Sequence, residues 1–202
     1  EERRDHDTDD ILSALVRLEE DGDTLSHLEL ISMVFLLLVA GHETTVNLIG
    51  NGMLLLMQQP EQFAQLRDNR DLMKTAIEEM LRFNGPVETT TTRFASEDID
   101  VAGVTIPMGD IVLPSLLAAN RDPAIFENPD MFDITRETNP HIAFGHGIHF
   151  CLGAPLARME GIIAINALLD RVPHIALAND VESLEWNESL LLHGMKALPV
   201  TW

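Results

Sequence analysis

The segment FGHGIHFCLG, residues 144–153, contains the only cysteine of the chain, Cys151. Three glycines, Gly145, Gly147 and Gly153, lie within the same ten residues. Glycine is used where the backbone turns sharply or where another group must come close to it. This composition predicts a tight loop built around the cysteine, which ordinary core packing does not require.

Three roles are open to Cys151 on the residues alone. It could be a small buried hydrophobic residue, a zinc ligand together with His146 and His149, or a thiolate bound to a large flat metal cofactor. A helix is predicted to begin directly after Cys151, and its free N–H groups and positive dipole end stabilise a thiolate. Because a buried core cysteine needs no such loop, these features favour the third role.

The segment resembles the heme-binding signature of the cytochrome P450 monooxygenases, F-x-x-G-x-x-x-C-x-G. All fixed positions match: Phe144, Gly147, Cys151 and Gly153. The resemblance implies that Cys151 is the proximal thiolate ligand of the iron in heme b, where electron donation by sulfur favours O–O cleavage. It also implies that four neighbouring residues form part of the heme site: Phe144, Gly145, Gly153 and Ala157.

A second motif, AGHETT at residues 40–45, resembles the oxygen-activation motif of the same family, [AG]-G-x-[DE]-T-[TS]. Alternatives are a polar stripe on a buried helix and a zinc protease motif, but H-E-x-x-H fails because Val46 replaces the second histidine. Ala40 and Gly41 lack bulk, so a flat ring can come close to the helix, and a threonine hydroxyl can open the helix locally. By resemblance, Thr44 hydrogen-bonds dioxygen at the iron and Glu43 relays protons through water.

The segment EEMLR, residues 78–82, places Glu79 and Arg82 one helical turn apart. Such a pair is commonly a surface ion pair that contributes only about 0.3 kcal/mol. In the P450 family, however, E-x-x-R is a structural pair completed by a second arginine. Arg136 stands at the matching place, and we therefore expect a structural cluster of the three residues.

The two heme propionates require cations, and the resemblance supplies two candidates. Arg93, in TTRF, and His149, in GIHFC, match the positions that bind propionates in bacterial members of the family. The alternative for Arg93 is a surface charge on a hairpin.

Hydrophobic periodicity predicts a mainly α-helical fold with small peripheral β-sheets. The longest helix should begin near Ser26, where Ser26 and Glu29 form a capping-box pair, and end near Gln58 before Pro60. Its apolar run, residues 33–41, is shorter than the roughly 20 residues of a membrane span, so we expect a buried helix. The other helices are expected over residues 9–20, 60–68, 71–83, 116–123 and 152–172.

The chain has a net charge of −20, which disfavours nucleic acids and anionic membrane surfaces as partners. A single cysteine cannot form an internal disulfide, which fits a reducing compartment. The charged opening, EERRDHDTDD, has no apolar region typical of a signal peptide. We therefore expect a cytoplasmic protein.

The resemblance covers essentially all 202 residues as the heme-binding C-terminal portion of a single cytochrome P450 domain, and the N-terminal half of that fold has no counterpart. It is nearest to soluble bacterial members that hydroxylate macrolides and other bulky natural products. It implies a monooxygenase with a mostly apolar small-molecule substrate, a ferredoxin or flavin-type electron donor, and further polypeptide to cover the exposed apolar surface. The alternatives are a truncated non-catalytic heme-binding fragment and a peroxide-driven peroxygenase.

Overall fold

The computed structural model describes residues 8–20 and 25–202. Residues up to Glu43 belong to one compact unit, and Thr44–Trp202 form a second. The described residues include these α-helices: α1 (Ile11–Glu20), α2 (His27–Gln58), α3 (Pro60–Asp68), α4 (Met73–Asn84), α5 (Leu116–Ala119) and α6 (Ala154–Arg171). Each predicted helix is present, although the one at residues 116–123 is a single turn.

The strands are short and form three antiparallel pairs. The pairs are β1 (Arg93–Phe94) with β4 (Ile111–Val112), β2 (Ile99–Val101) with β3 (Val104–Ile106), and β5 (Ala176–Leu177) with β6 (Val200–Thr201). Ala102 and Gly103 both have positive φ and form the two-residue turn between β2 and β3. The fold is therefore mainly α-helical with small peripheral sheets, as predicted.

Helix α2 begins with the capping box that the sequence predicts. The Glu29 backbone N–H donates to Ser26 Oγ at 3.3 Å, and the Ser26 backbone N–H donates to Glu29 Oε2 at 2.8 Å. The Ser26 hydroxyl also donates to Glu29 Oε2, at 2.7 Å, and the backbone and hydroxyl bonds from Ser26 lower the pKa of Glu29 because they stabilise its charged form. The helix then continues to Gln58, and Pro60 opens the next helix.

The predicted burial of α2 is wrong for its first half. Leu28, Phe35 and Leu38 are 74%, 66% and 69% exposed, and between residues 27 and 46 only Leu30 is buried. A helix that is apolar all round requires neighbours on every side, and the described chain does not cover this part. By length and composition α2 could cross a membrane, but this is weak support for a span, since a core helix of a soluble protein meets the same criteria.

The core of the second unit lies between α4, α6 and the last part of α2. Its fully buried members include Leu48, Leu56, Ile77, Met80, Ile165 and Leu169. Gly161 lets the helices pack closely, since a Cβ there would lie 3.1 Å from Ile77 Cδ1 and 3.3 Å from Leu48 Cδ2. This packing fixes α6, and with it the loop that precedes α6 and contains Cys151.

Candidate functional site

The loop around Cys151 is held by its own backbone. The Cys151 N–H donates to the Phe144 carbonyl at 3.0 Å, and the Phe150 N–H donates to the Gly147 carbonyl at 3.0 Å. Gly145 and Gly147 have φ values of 75° and 80°, a region that side chains strongly disfavour. The glycines are therefore required by the course of the loop.

The Cys151 side chain is exposed, so its role as a small buried hydrophobic residue is excluded. Apolar side chains on the same loop are exposed beside it: Ile148 is 97%, Leu152 85% and Phe150 53% exposed. A free thiol surrounded by exposed apolar side chains is suited to an apolar group that covers them.

The N-terminus of α6 lies next to the sulfur. An added Cβ at Gly153 would lie 3.8 Å from Cys151 Sγ, which places this glycine in contact with the thiol. In the described part of the chain, the backbone N–H groups of Leu152 and Gly153 donate to no carbonyl. Both amides, together with the N-terminus of an 18-residue helix, are therefore available to an acceptor at this position.

The donor set fits heme better than zinc. Across residues 8–20 and 25–202, no group of three or more His, Cys, Asp or Glu side chains is placed to hold a metal ion. Cys151, His146 and His149 therefore do not form a zinc site. One thiolate donor with glycines and apolar side chains around it suits a metal carried by a flat apolar ring, whose four nitrogens supply the other ligands.

The predicted propionate ligands are both exposed. Arg93 is in β1, and His149 ends a 3₁₀ turn, Gly147–His149, directly before the cysteine. In the ranges that the structure describes, neither side chain has a hydrogen-bond or ion-pair partner. Both are therefore available to an anion, and their assignment to the propionates stays a prediction.

The AGHETT residues lie on α2. Ala40, Gly41 and Glu43 are exposed and Thr44 is half-buried. A Cβ added at Gly41 would have no atom within 4 Å, so this face of the helix has room for a bulky group. The helix is unbroken through the motif, and the local opening expected from the threonine is not present.

The cluster of Glu79, Arg82 and Arg136 is confirmed. Arg82 Nε and Nη2 donate to the two oxygens of Glu79 at 2.7 Å each, and Arg136 Nε donates to Glu79 Oε2 at 3.1 Å. Neither Glu79 nor Arg82 is exposed. The alternative of a weak surface pair is therefore excluded.

A second charged cluster beside the cysteine loop was missed by the sequence analysis. Arg158 donates to both oxygens of Glu78, at 2.6 and 2.8 Å, and His141 Nε2 lies 3.0 Å from Glu78 Oε2. Burial raises the pKa of Glu78, but the hydrogen bonds from His141 and Arg158 and the Arg158 charge outweigh it and lower that pKa to about 2. Glu78 directly precedes Glu79, and no local pattern marks a partner that lies 80 residues away.

Two segments that are distant in the sequence, residues 87–89 and 190–192, lie against each other. Val87 pairs with Leu192 in an antiparallel bridge, and the Glu88 N–H donates to the Leu191 carbonyl at 2.9 Å. Thr89 Oγ1 donates to the Leu190 carbonyl at 2.7 Å. The chain therefore brings residues 87–89 and 190–192 together, although more than 100 residues separate them.

The family model for cytochrome P450 matches residues 1–194. Cytochrome P450 monooxygenase PikC of Streptomyces venezuelae is 53% identical over 99% of this chain and 48% of its own length. The 6-deoxyerythronolide B hydroxylase of Saccharopolyspora erythraea is 48% identical over 99% of this chain and 50% of its own length. The solved structure of tirandamycin C-bound P450 monooxygenase TamI matches with a TM-score of 0.93 and 49% identity over 98% of this chain and 50% of that chain. The chain thus spans about half the length of the relatives it matches, and it belongs to the cytochrome P450 family.

Proposed function

We propose that this chain is the heme-binding part of a heme-thiolate monooxygenase that hydroxylates a bulky, mostly apolar small molecule. The observation that carries the proposal is the exposed Cys151, set in a glycine loop at the N-terminus of α6. Bound heme b would supply the iron at which dioxygen is activated. Membership of the P450 family and the hydroxylase names among the relatives support this reaction class.

Cys151 is the proposed iron ligand. Its sulfur is adjacent to Gly153, and the N–H groups of Leu152 and Gly153 donate to no carbonyl among the described residues. The exposed apolar side chains of the loop would contact the bound ring and exclude water from it. Arg93 and His149, both exposed and without side-chain partners among the described residues, would bind the carboxylate groups of the ring.

Thr44 and Glu43 are the proposed proton-handling pair. Cleavage of an O–O bond requires protons at one oxygen atom, and a hydroxyl with an adjacent carboxylate can hold and pass them. Their neighbours Ala40 and Gly41 present little bulk, which leaves room for a ring and a small ligand. The presence of both residues disfavours the peroxygenase alternative, which has no need of this relay.

The proposed substrate is a bulky natural product. The paired segments 87–89 and 190–192 offer apolar side chains, including Val87, Leu191 and Leu192. Among the relatives, one is named as a hydroxylase of 6-deoxyerythronolide B, and one structure holds tirandamycin C. A ferredoxin or flavin-type donor would supply the two electrons, and a cytoplasmic location fits the lone reduced cysteine.

The functional unit is proposed to contain more polypeptide than these residues. The first half of α2 exposes large apolar side chains, and the relatives are about twice as long. The missing half of the fold is the natural cover for that surface.

The test is a reduced, carbon-monoxide difference spectrum of the purified protein with added heme. A red-shifted Soret band of the thiolate type is expected, and it would show that the protein binds heme through sulfur. A neutral-ligand band, or no band, would reject the monooxygenase proposal for this chain and favour the non-catalytic fragment.

A further inference from the structure

We propose that Glu78 is a positioning residue for Cys151: it holds Arg158 and His141 against Phe144, whose carbonyl accepts the Cys151 N–H. The inference rests on the proposed role of Cys151 for its functional meaning only. The contacts themselves involve no cofactor, and they can be tested without one.

The first contact runs through Arg158. Two guanidinium nitrogens of Arg158, Nε and Nη2, donate to Glu78 at 2.6 and 2.8 Å, a two-point geometry that fixes the plane of the group. The guanidinium carbon lies 4.6 Å from the centre of the Phe144 ring, which is a cation–π distance. Glu78 therefore determines where the cation lies on the ring.

The second contact runs through His141, whose side chain is only 3% exposed. Its Nδ1 accepts the Ala143 N–H at 3.2 Å, so the proton is on Nε2 and is donated to Glu78 Oε2 at 3.0 Å. The His141 and Phe144 rings lie 6.2 Å apart. The Glu78 carboxylate therefore fixes the backbone near His141, which leads into the cysteine loop. It also fixes the ring of Phe144, the first residue of that loop.

Phe144 connects the contacts of Glu78, Arg158 and His141 to the cysteine. Its carbonyl accepts the Cys151 N–H at 3.0 Å, and its ring meets that of Phe150 at 6.4 Å. A displacement of Phe144 therefore moves the backbone on which the sulfur is carried. The Arg158 guanidinium also interacts electrostatically with that sulfur. The hydrogen bond to Glu78 raises the pKa of Arg158 most, burial opposes this rise, and the charges of Glu78 and Cys151 add to it.

Glu78 is distinct from Glu79, although the two are adjacent. Glu79 bonds to Arg82 and Arg136 in the buried cluster, whereas Glu78 is 29% exposed and bonds to Arg158 and His141. Another ion pair on α6, Arg70 with Asp170 at 3.4 Å, has no contact with the loop. Asp170→Asn is therefore a matched control for Glu78→Gln, because each replaces one carboxylate oxygen by an amide in an ion pair of α6.

The primary experiment measures amide hydrogen exchange of the purified, heme-free protein. In Glu78→Gln, exchange of the Cys151 N–H, followed in peptides that cover 144–153, should be about tenfold faster than in the unmodified protein. Exchange in residues 160–171 should be unchanged, and Asp170→Asn should leave the loop unaffected. Equal exchange of the loop in all three proteins, or a uniform acceleration over the whole chain, would overturn the proposal.

A second readout uses heme-loaded protein. In Glu78→Gln, the thiolate-type band of the reduced carbon-monoxide complex should convert to the neutral-ligand type about tenfold faster than in Asp170→Asn. Arg158→Gln should have the same effect, and the double variant should show no more than either single change. Additive effects would contradict a shared pathway, and these variants also decide the question if Glu78→Gln does not fold. If the unmodified protein shows no thiolate band, the proposed function fails, while hydrogen exchange still tests the role of Glu78.

Discussion

Arg82 and Glu79 are joined by two hydrogen bonds of 2.7 Å, and neither side chain is exposed to solvent. Arg82 also donates to three backbone carbonyls: those of Pro129 at 2.8 Å and Met131 at 2.9 Å, in the segment before the cysteine loop, and that of Asn120 at 3.0 Å. The Asp133 N–H donates back to Glu79 Oε1 at 2.9 Å. The pair thus joins α4 to residues 129–133, which have no regular secondary structure.

Glu79→Gln should destabilise the protein strongly. The change leaves the buried Arg82 and the adjacent Arg136 without a counter-charge, and breaking a buried pair in this way costs about 3–5 kcal/mol. Chemical denaturation at neutral pH measures the change in the free energy of unfolding. Glu185→Gln, at an exposed pair with Lys196, is the control and should cost less than about 1 kcal/mol. Similar small costs for both variants would contradict the structural role of Glu79.

The sequence predicted local structure well because local structure depends on neighbouring residues. The capping box at Ser26, the stop before Pro60 and the glycine loop at Cys151 each follow from a few consecutive side chains. Burial of the first half of α2 was predicted wrongly, because burial depends on which other elements cover a helix.

The pairing of Glu78 with Arg158 could not be predicted for a related reason. The two residues are 80 positions apart, and only the packing of α4 on α6 brings them together. The neighbouring pair, Glu79 and Arg82, was identifiable because both residues lie on one helix, one turn apart. Even for this pair, the sequence indicated the contact only through a family resemblance. The structure was needed to show that both side chains are completely buried.

The contribution of Glu78 to stability should depend on pH. Its pKa lies near 2 in the folded protein and near 4.5 in the unfolded chain, so its carboxylate stabilises the fold above about pH 4.5. That contribution is lost as the pH falls from about 4.5 toward 2. At neutral pH, Glu78→Gln should therefore cost roughly 2 kcal/mol, a value reduced by the partial exposure of the pair.

The measurement compares unfolding free energies of the unmodified protein and Glu78→Gln between pH 7 and pH 3. The difference in unfolding free energy between the two proteins should stay constant down to about pH 4.5 and narrow below it. A difference that stays constant over the whole range would show that the carboxylate charge of Glu78 is not the source of the stability.

Cys151→Ser should remove the thiolate-type spectrum without unfolding the protein. The side chain is exposed, so the substitution creates no cavity, and its backbone bond to Phe144 does not depend on the sulfur. Serine cannot supply the anionic sulfur donor that iron requires for this spectrum. The reduced carbon-monoxide spectrum and the thermal midpoint should be recorded together, since an unchanged spectrum in a folded variant would exclude Cys151 as the ligand.

Glu43→Gln should slow turnover driven by dioxygen while leaving turnover driven by peroxide nearly unchanged. If Glu43 passes protons from solvent, replacing its carboxylate by an amide slows oxygen-driven turnover by about 10²–10⁴-fold, the usual contribution of acid–base catalysis. Turnover driven by peroxide, which already carries the protons and electrons, should be nearly unaffected. Both rates are measured with the same substrate and the same heme content, so that cofactor loss does not imitate a proton defect.

Glu29→Gln is the matched control for that experiment, because Glu29 is an exposed carboxylate of the same helix, near its N-terminus. It should leave both rates unchanged. Equal loss of the oxygen-driven and peroxide-driven rates in Glu43→Gln would mean that Glu43 supports the site in another way. In that case Thr44→Val, which replaces the hydroxyl by a methyl group of similar size, would decide whether the motif handles protons at all.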